Sequence, residues 1–202
     1  MLDGADARRK MVLNLARYSG VAPALSGMLG GLGAILMLHR VTASPSRPLG
    51  LNRHLAVTPD FLDRLVVDMK KAGYRFVSMD EMVEAIRAGS SRPRRATITF
   101  DDAYRDNLAE ALPVLQAHEA PFTIYTAPGL TDGTADLWWD VLEEIVTRAD
   151  LVRLPSADGE VVMDCSTEGK KAEAYSFLLN HLTSQVSEEA RQPLLREMAG
   201  QA

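Results

Sequence analysis

The chain has 202 residues, 47% of them hydrophobic and 24% charged, the balance of a globular protein long enough for one or two domains. A formal net charge of -5, with no basic run beyond the short Arg92 to Arg95 stretch, excludes the electrostatic footprint of a nucleic-acid binder. The single cysteine, Cys165, excludes an internal disulfide and any cysteine-based zinc cluster, and reads as a buried, inert thiol.

At the N-terminus, Arg8, Arg9, Lys10 and Arg17 precede an apolar run from Val21 to Leu38 with the outline of a signal peptide or membrane anchor. Pro23, Ser26 and several glycines interrupt the run, no small-x-small cleavage pattern follows it, and it leads into Arg40. A cytoplasmic chain is the expectation, with export or anchoring through residues 21–38 as the alternative. Asp6 to Tyr18 is expected as a short amphipathic helix and Gly30 to Gly33 as a turn, so residues 1–33 form an N-terminal helical segment.

Ala34 to Leu38, ending in His39, is expected as a first strand covered on both faces of a parallel sheet. After a loop over Thr42 to Val57, Thr58 caps a helix with Pro59 at its first position and an apolar stripe of Phe61, Leu62, Leu65, Val66 and Met69, stopped by Gly73. Arg75 to Val77 is a second strand. Ser78 and Glu81 form a capping box for a helix that runs to Ala88 and ends at Gly89. Ala96 to Phe100 is a third strand, ending in Asp101-Asp102, and Asn107 to Ala117 a helix bent near Pro113. Phe122 to Thr126 is a fourth. Leu137 to Ala149 reads as helix, Glu160 to Met163 as a short extended piece, and Ala172 to Leu182 and Ser187 to Met198 as two further helices. Strands separated by helices imply parallel pairing with right-handed crossovers, hence an α/β class, with too few strands to close a barrel.

In such folds ligands gather at the carboxyl ends of the strands, where His39, Asp101 and Asp102 fall. Adjacent side chains on an extended chain point to opposite faces, so both carboxylates reach one pocket only if the backbone turns there. One could then hold a divalent cation while the other takes a proton from water. The plain alternative is an Asp pair capping the next helix.

The run Thr97-Ile98-Thr99-Phe100-Asp101-Asp102-Ala103-Tyr104-Arg105-Asp106-Asn107 resembles the first signature motif of the polysaccharide deacetylases, the NodB-homology family of carbohydrate esterases. The usual family pattern is Thr-Phe-Asp-Asp-Gly-Tyr, so Ala103 stands where a glycine is expected. Met37-Leu38-His39-Arg40-Val41 is similar to the family's first strand, Pro121-Phe122-Thr123-Ile124-Tyr125 to the strand after the motif helix, and Leu137-Trp138-Trp139-Asp140 to a segment of some bacterial members. The resemblance spans roughly Ile35 to Arg148.

It implies a partial (β/α) barrel of the deacetylase type with about four parallel strands. Residues 34–150 would be the N-terminal half of the domain and residues 151–202 a helical insertion or truncated tail. It implies Asp101 as the general base and Asp102 as ligand of a divalent metal, zinc first and cobalt or another ion otherwise. Tyr104, His39 and Trp138 would contact substrate. The implied reaction is hydrolysis of the N-acetyl amide in N-acetylglucosamine-containing oligo- or polysaccharides, of the chitooligosaccharide-deacetylase kind. The family's His-x-x-x-His segment is missing among His39, His54, His118 and His181, and its later motifs are not found, so the remaining strands are expected beyond Ala202. A different reading is a non-catalytic remnant that binds carbohydrate or a protein partner and self-associates through unpaired strands. Phosphoryl transfer at an aspartate is disfavoured, because Tyr104 stands where a second carboxylate is needed.

Overall fold

Gly33 opens the first strand because nothing larger fits: a Cβ there would lie 2.2 Å from the Arg95 carbonyl oxygen of the neighbouring strand. The elements follow as β1 (Gly33–Leu38), β2 (Arg40–Val41), β3 (Ala56–Val57) after a 3-10 turn at Arg53–Leu55, α1 (Pro59–Lys71), β4 (Tyr74–Phe76), α2 (Met79–Arg87) and β5 (Arg94–Phe100). A π-helical turn at Asn107–Ala111 then runs into α3 (Leu112–Ala117), followed by β6 (Phe122–Ile124), α4 (Pro128–Thr131), α5 (Trp138–Arg148), the hairpin β7 (Leu151–Ser156) and β8 (Gly159–Asp164), α6 (Glu168–Ser184) and α7 (Glu188–Ala199). This computed structural model describes residues 31–44, 49–156 and 159–200, with residues 8, 10–12, 14, 15 and 19 of the N-terminal segment. Residues 8, 10–12, 14 and 15 are helical. The rest of the expected first helix, and the start of the glycine turn, lie outside the described residues.

The expected capping chemistry is present. The Thr58 side chain accepts from the Phe61 N–H with Pro59 in the first turn, and Ser78 and Glu81 form a reciprocal capping box. The bend expected near Pro113 falls just ahead of it. Leu112 N–H reaches back five residues to the Asn107 carbonyl, and Pro113 has no N–H to continue the ladder, so the preceding turn widens to π geometry.

The α/β class is as expected, and its sheet is parallel and four-stranded. β5 bonds β1 along its length, Gly33 opposite Arg95 to Leu38 opposite Phe100. Its other edge is shared, β4 pairing at Arg94 to Ala96 and β6 at Ile98 to Phe100. No closed barrel exists among the described residues, in keeping with a partial one. Helices α1 and α3 cover one face, where Leu62, Val66 and Leu115 pack on Ala96, Ile98 and Phe100. Full burial of each such large side chain stabilises the fold by about 1.5–3 kcal/mol.

Two sequence expectations are corrected. β1 is not covered on both faces: Ile35 and Met37 are 52% and 60% exposed, on the face opposite the helices. The segment 151–202 is not helical throughout: the extended piece expected at Glu160 to Met163 is present as β8, and it pairs with the unexpected strand β7 in an antiparallel hairpin, Leu151 opposite Asp164 to Ser156 opposite Gly159. Pro155 concealed the first arm, although Val152 and Leu154 alternate inward as a half-buried strand requires. With α5, α6 and α7 the hairpin surrounds a second hydrophobic cluster that includes Leu142, Val146, Leu154, Leu178, Leu182 and Leu195.

Candidate active site

The carboxyl ends of β1 and β5 lie side by side, the Asp101 N–H donating to the Leu38 carbonyl at 3.0 Å. After Asp101 the backbone turns sharply: Asp102 and Ala103 have φ of 68° and 52°. Two consecutive left-handed residues end the extended alternation, which is the turn that adjacent carboxylates need in order to serve one site. Ala103 therefore keeps the backbone shape a glycine would supply, at the cost of crowding its Cβ.

Asp102 is half-buried, and its Oδ2 is buried without a hydrogen-bond partner among the described residues. Burial pushes its carboxyl above the usual carboxylate range, the nearby His39 pulls it back, and Asp101 and Asp140 push it further up. His39 is held by its own backbone, its carbonyl accepting from Asn107 Nδ2 at 2.8 Å, and Asn107 is fully buried. So Asn107 positions the strand end that carries His39. Asp106 does the same one residue on, accepting from the Val41 N–H at 3.2 Å and from Arg40 Nε at 2.9 Å.

The Arg40 guanidinium sits 5.0 Å above the Tyr104 ring, and the Tyr104 hydroxyl accepts from Trp139 Nε1 at 3.2 Å. Burial drives the Tyr104 hydroxyl to about 12; the Trp139 N–H and Arg40 oppose this, while Asp140 and Asp102 add to it. Tyr104 is thus a neutral phenol at physiological pH. Trp139 in turn lies in the first turn of α5, where Trp138 packs edge-to-face against it with ring centroids 5.6 Å apart.

Asn52 joins this edge to the second cluster. Its Nδ2 shares its protons among the Trp139 carbonyl at 3.0 Å, Glu143 Oε2 at 2.9 Å and Asp140 Oδ1 at 3.3 Å, while its Oδ1 accepts from the Tyr175 hydroxyl at 2.6 Å. Glu143 is buried and also accepts from the Leu51 N–H at 2.9 Å. Burial, with Glu143 and Asp140 nearby, pushes the Tyr175 hydroxyl to about 12 against the Asn52 bond. At this junction lies a pocket of about 230 Å³ lined by His39, His54, Leu55, Trp138, Tyr175 and Leu179 among others.

Of the residues named from sequence, His39 and Trp138 share that pocket, Tyr104 connects to it through Trp139, and Asp101 and Asp102 stand at the strand edge beside His39 without lining it. His118 is elsewhere, paired with Asp63 at 2.7 Å, and His181 bonds Gln185 on α6. No group of three or more histidine, cysteine or acidic side chains placed to hold a metal exists among the described residues. The orphaned Asp102 Oδ2 fits one cation ligand, where a catalytic zinc normally has three from the protein. Sequence reading missed Arg40, Asp106, Asn52, Asp140 and Glu143. Asp106 and Arg40 lie inside segments already singled out, whereas Asn52 sits in a loop with no local signal.

The family profile described as polysaccharide deacetylase matches residues 88–197, more than half of the chain. The chain belongs to the polysaccharide deacetylase family. This deacetylase-family chain is 30% identical over 97 residues to the poly-beta-1,6-N-acetyl-D-glucosamine N-deacetylase of Escherichia coli strain K12, and equally to that of strain O157:H7. The match covers 48% of the chain and 14% of those relatives, so the chain spans about a seventh of their length. Among solved structures it is similar to the Streptococcus pyogenes deacetylase PplD in complex with acetate, at 28% identity over 55% of this chain and 50% of that one, with a TM-score of 0.43. IcaB from Ammonifex degensii is 24% identical over 48% of this chain and 39% of that one, with a TM-score of 0.40.

Proposed function

We propose that the Asp101–Asp102 edge serves metal-dependent removal of N-acetyl groups from an N-acetylglucosamine oligo- or polysaccharide. The observation that carries this reading is Asp102 Oδ2: a buried carboxylate oxygen with no partner, on a double left-handed turn beside a second carboxylate, in a chain of this family. An unpaired buried carboxylate is costly, and such a group is retained where a cation or substrate satisfies it. The name of the Escherichia coli relatives, a poly-β-1,6-N-acetylglucosamine deacetylase, supports this substrate class.

Asp101 is the general base, taking a proton from the water that attacks the acetamide carbonyl. Asp102 contributes one ligand to the divalent ion, zinc or another, and such an ion polarises the carbonyl when bound. His39 orients the substrate at the edge and tempers the charge of Asp102. Tyr104, a phenol locked by Trp139 and Arg40, closes the side of the site and stays protonated. The second reading is carbohydrate binding without turnover, favoured by the absence of a three-donor metal group among the described residues. Zinc or cobalt titrated against the chain and Asp102→Ala decides about the ligand. Binding that the substitution removes supports the proposal, and identical isotherms contradict it.

A further inference from the structure

We infer that the basic helical stretch at residues 8–15 is a docking face for an anionic lipid surface. This face shares no residue with the Asp101–Asp102 edge, so it stands or falls apart from the deacetylase reading.

Within the helical stretch Met11, Val12 and Leu15 are 66%, 60% and 70% exposed, and Met11 and Leu15 are the two most exposed large apolar side chains among the described residues. At 3.6 residues per turn the three fall within an arc of about 100°, one continuous stripe, while Lys10 and Asn14 lie towards the opposite side. An amphipathic helix is stabilised by burying such a stripe, and contiguous exposed apolar surface marks a contact site. Neither hydrophobic cluster of the described residues includes any of the three, so the body of the chain does not supply the cover. Of the apolar run that follows, Gly33–Leu38 is hydrogen-bonded into the sheet as β1.

Charge identifies the occupant. Between Arg8 and Arg17 the sequence holds the cations Arg8, Arg9, Lys10 and Arg17 and no acidic residue, in a chain whose net charge is -5, so positive charge is concentrated in this one segment of an otherwise acidic protein. An anionic leaflet answers both halves of the face, its phosphates attracting the cations and its acyl boundary taking the apolar stripe. A nucleic acid would answer the charge alone, and a second copy of this acidic chain would answer the stripe while bringing the same cations together. Arg8 stands one turn before Met11 and Val12, at the head of the stripe, where its long stem lies along apolar surface and its guanidinium stays among the headgroups. From residue 8 to residue 15 the helix rises about 11 Å against a hydrocarbon core of about 30 Å, so this stretch lies in the interface instead of spanning it.

Co-sedimentation of the whole chain with vesicles of phosphatidylcholine alone, and of phosphatidylcholine mixed with phosphatidylglycerol, measures the docking. The parent partitions onto the anionic vesicles about tenfold more strongly than onto the neutral ones, and added salt weakens the difference. Leu15→Asp lowers the partition about tenfold by placing a charge in the stripe, and Arg8→Gln lowers it roughly fivefold, the worth of one basic residue at an anionic surface. Phe177→Asp removes an apolar side chain that is 50% exposed on α6 and leaves the partition unchanged. All three positions are exposed, so each variant melts with the parent, which thermal scans check. No partition by the parent, equal partition onto both kinds of vesicle, or a Leu15→Asp variant that binds like the parent overturns the inference. A lipid-free dimer of the parent that Leu15→Asp dissolves also overturns it, because a second copy then covers the stripe.

Discussion

Asn52→Ala tests whether a single side chain couples the Asp101–Asp102 edge to the second hydrophobic cluster. Tyr175 and Glu143 are 5% and 1% exposed, and Asn52 satisfies the hydroxyl of one and half the carboxylate of the other. Removing it leaves the hydroxyl without an acceptor and Glu143 with the Leu51 N–H alone. Each buried group left short of a partner costs about 1–3 kcal/mol, so the variant loses about 2–6 kcal/mol. At roughly 2–4 °C per kcal/mol for a chain of this size, the melting temperature falls by roughly 4–24 °C. Tyr175→Phe alone costs about 1 kcal/mol, since Asn52 retains its other bonds, and the double variant costs about 1 kcal/mol less than the sum of the two. Calorimetric melts of the four proteins of this cycle check both figures. A fall below about 2 °C for Asn52→Ala, or strict additivity, would refute the claim that this amide joins the two parts.

Two further substitutions probe the turn itself. The Asp102 carboxyl is raised in the folded chain, chiefly by burial, so folding favours its protonated form. The stability this gives is full below the unfolded carboxyl value of about 4 and is lost as pH rises through the folded value. Asp102→Asn is therefore more stable than the parent at pH 7 and matches it below about pH 4, which thermal melts across that range measure; a variant less stable at pH 7 contradicts the assignment. Ala103→Gly relieves a left-handed alanine and raises stability by about 1 kcal/mol in urea unfolding, whereas a loss would show that the alanine Cβ is held by contacts not evident in the turn.

Much of this was legible in the sequence where the signal is local. Thr58-Pro59 and the Ser78–Glu81 box announce their helices because a cap needs only residues a few positions apart. The Asp101–Asp102 motif marked the strand end proposed as the site, and the left-handed turn explains how Ala103 can occupy a glycine position. Long-range pairings were not legible. Asn52 reaches Glu143 and Tyr175 across 91 and 123 positions, and nothing in its neighbours encodes that. β1 misled for the complementary reason. A continuous apolar run reports that a strand can be covered on two faces, and Ile35 and Met37 lie on the face that the described helices do not reach. Of the β7–β8 hairpin only the second arm was legible, as the extended piece Glu160 to Met163, because Pro155 interrupts the strand pattern of the first.

Acetate release from β-1,6-linked N-acetylglucosamine oligomers, followed for the parent chain and Asp101→Asn with a divalent ion present, tests the central claim most directly. The account predicts release by the parent and a fall of about 10²–10⁴-fold in the variant, the usual contribution of a positioned general base. Release that is absent from the parent, or equal in both proteins, would contradict it.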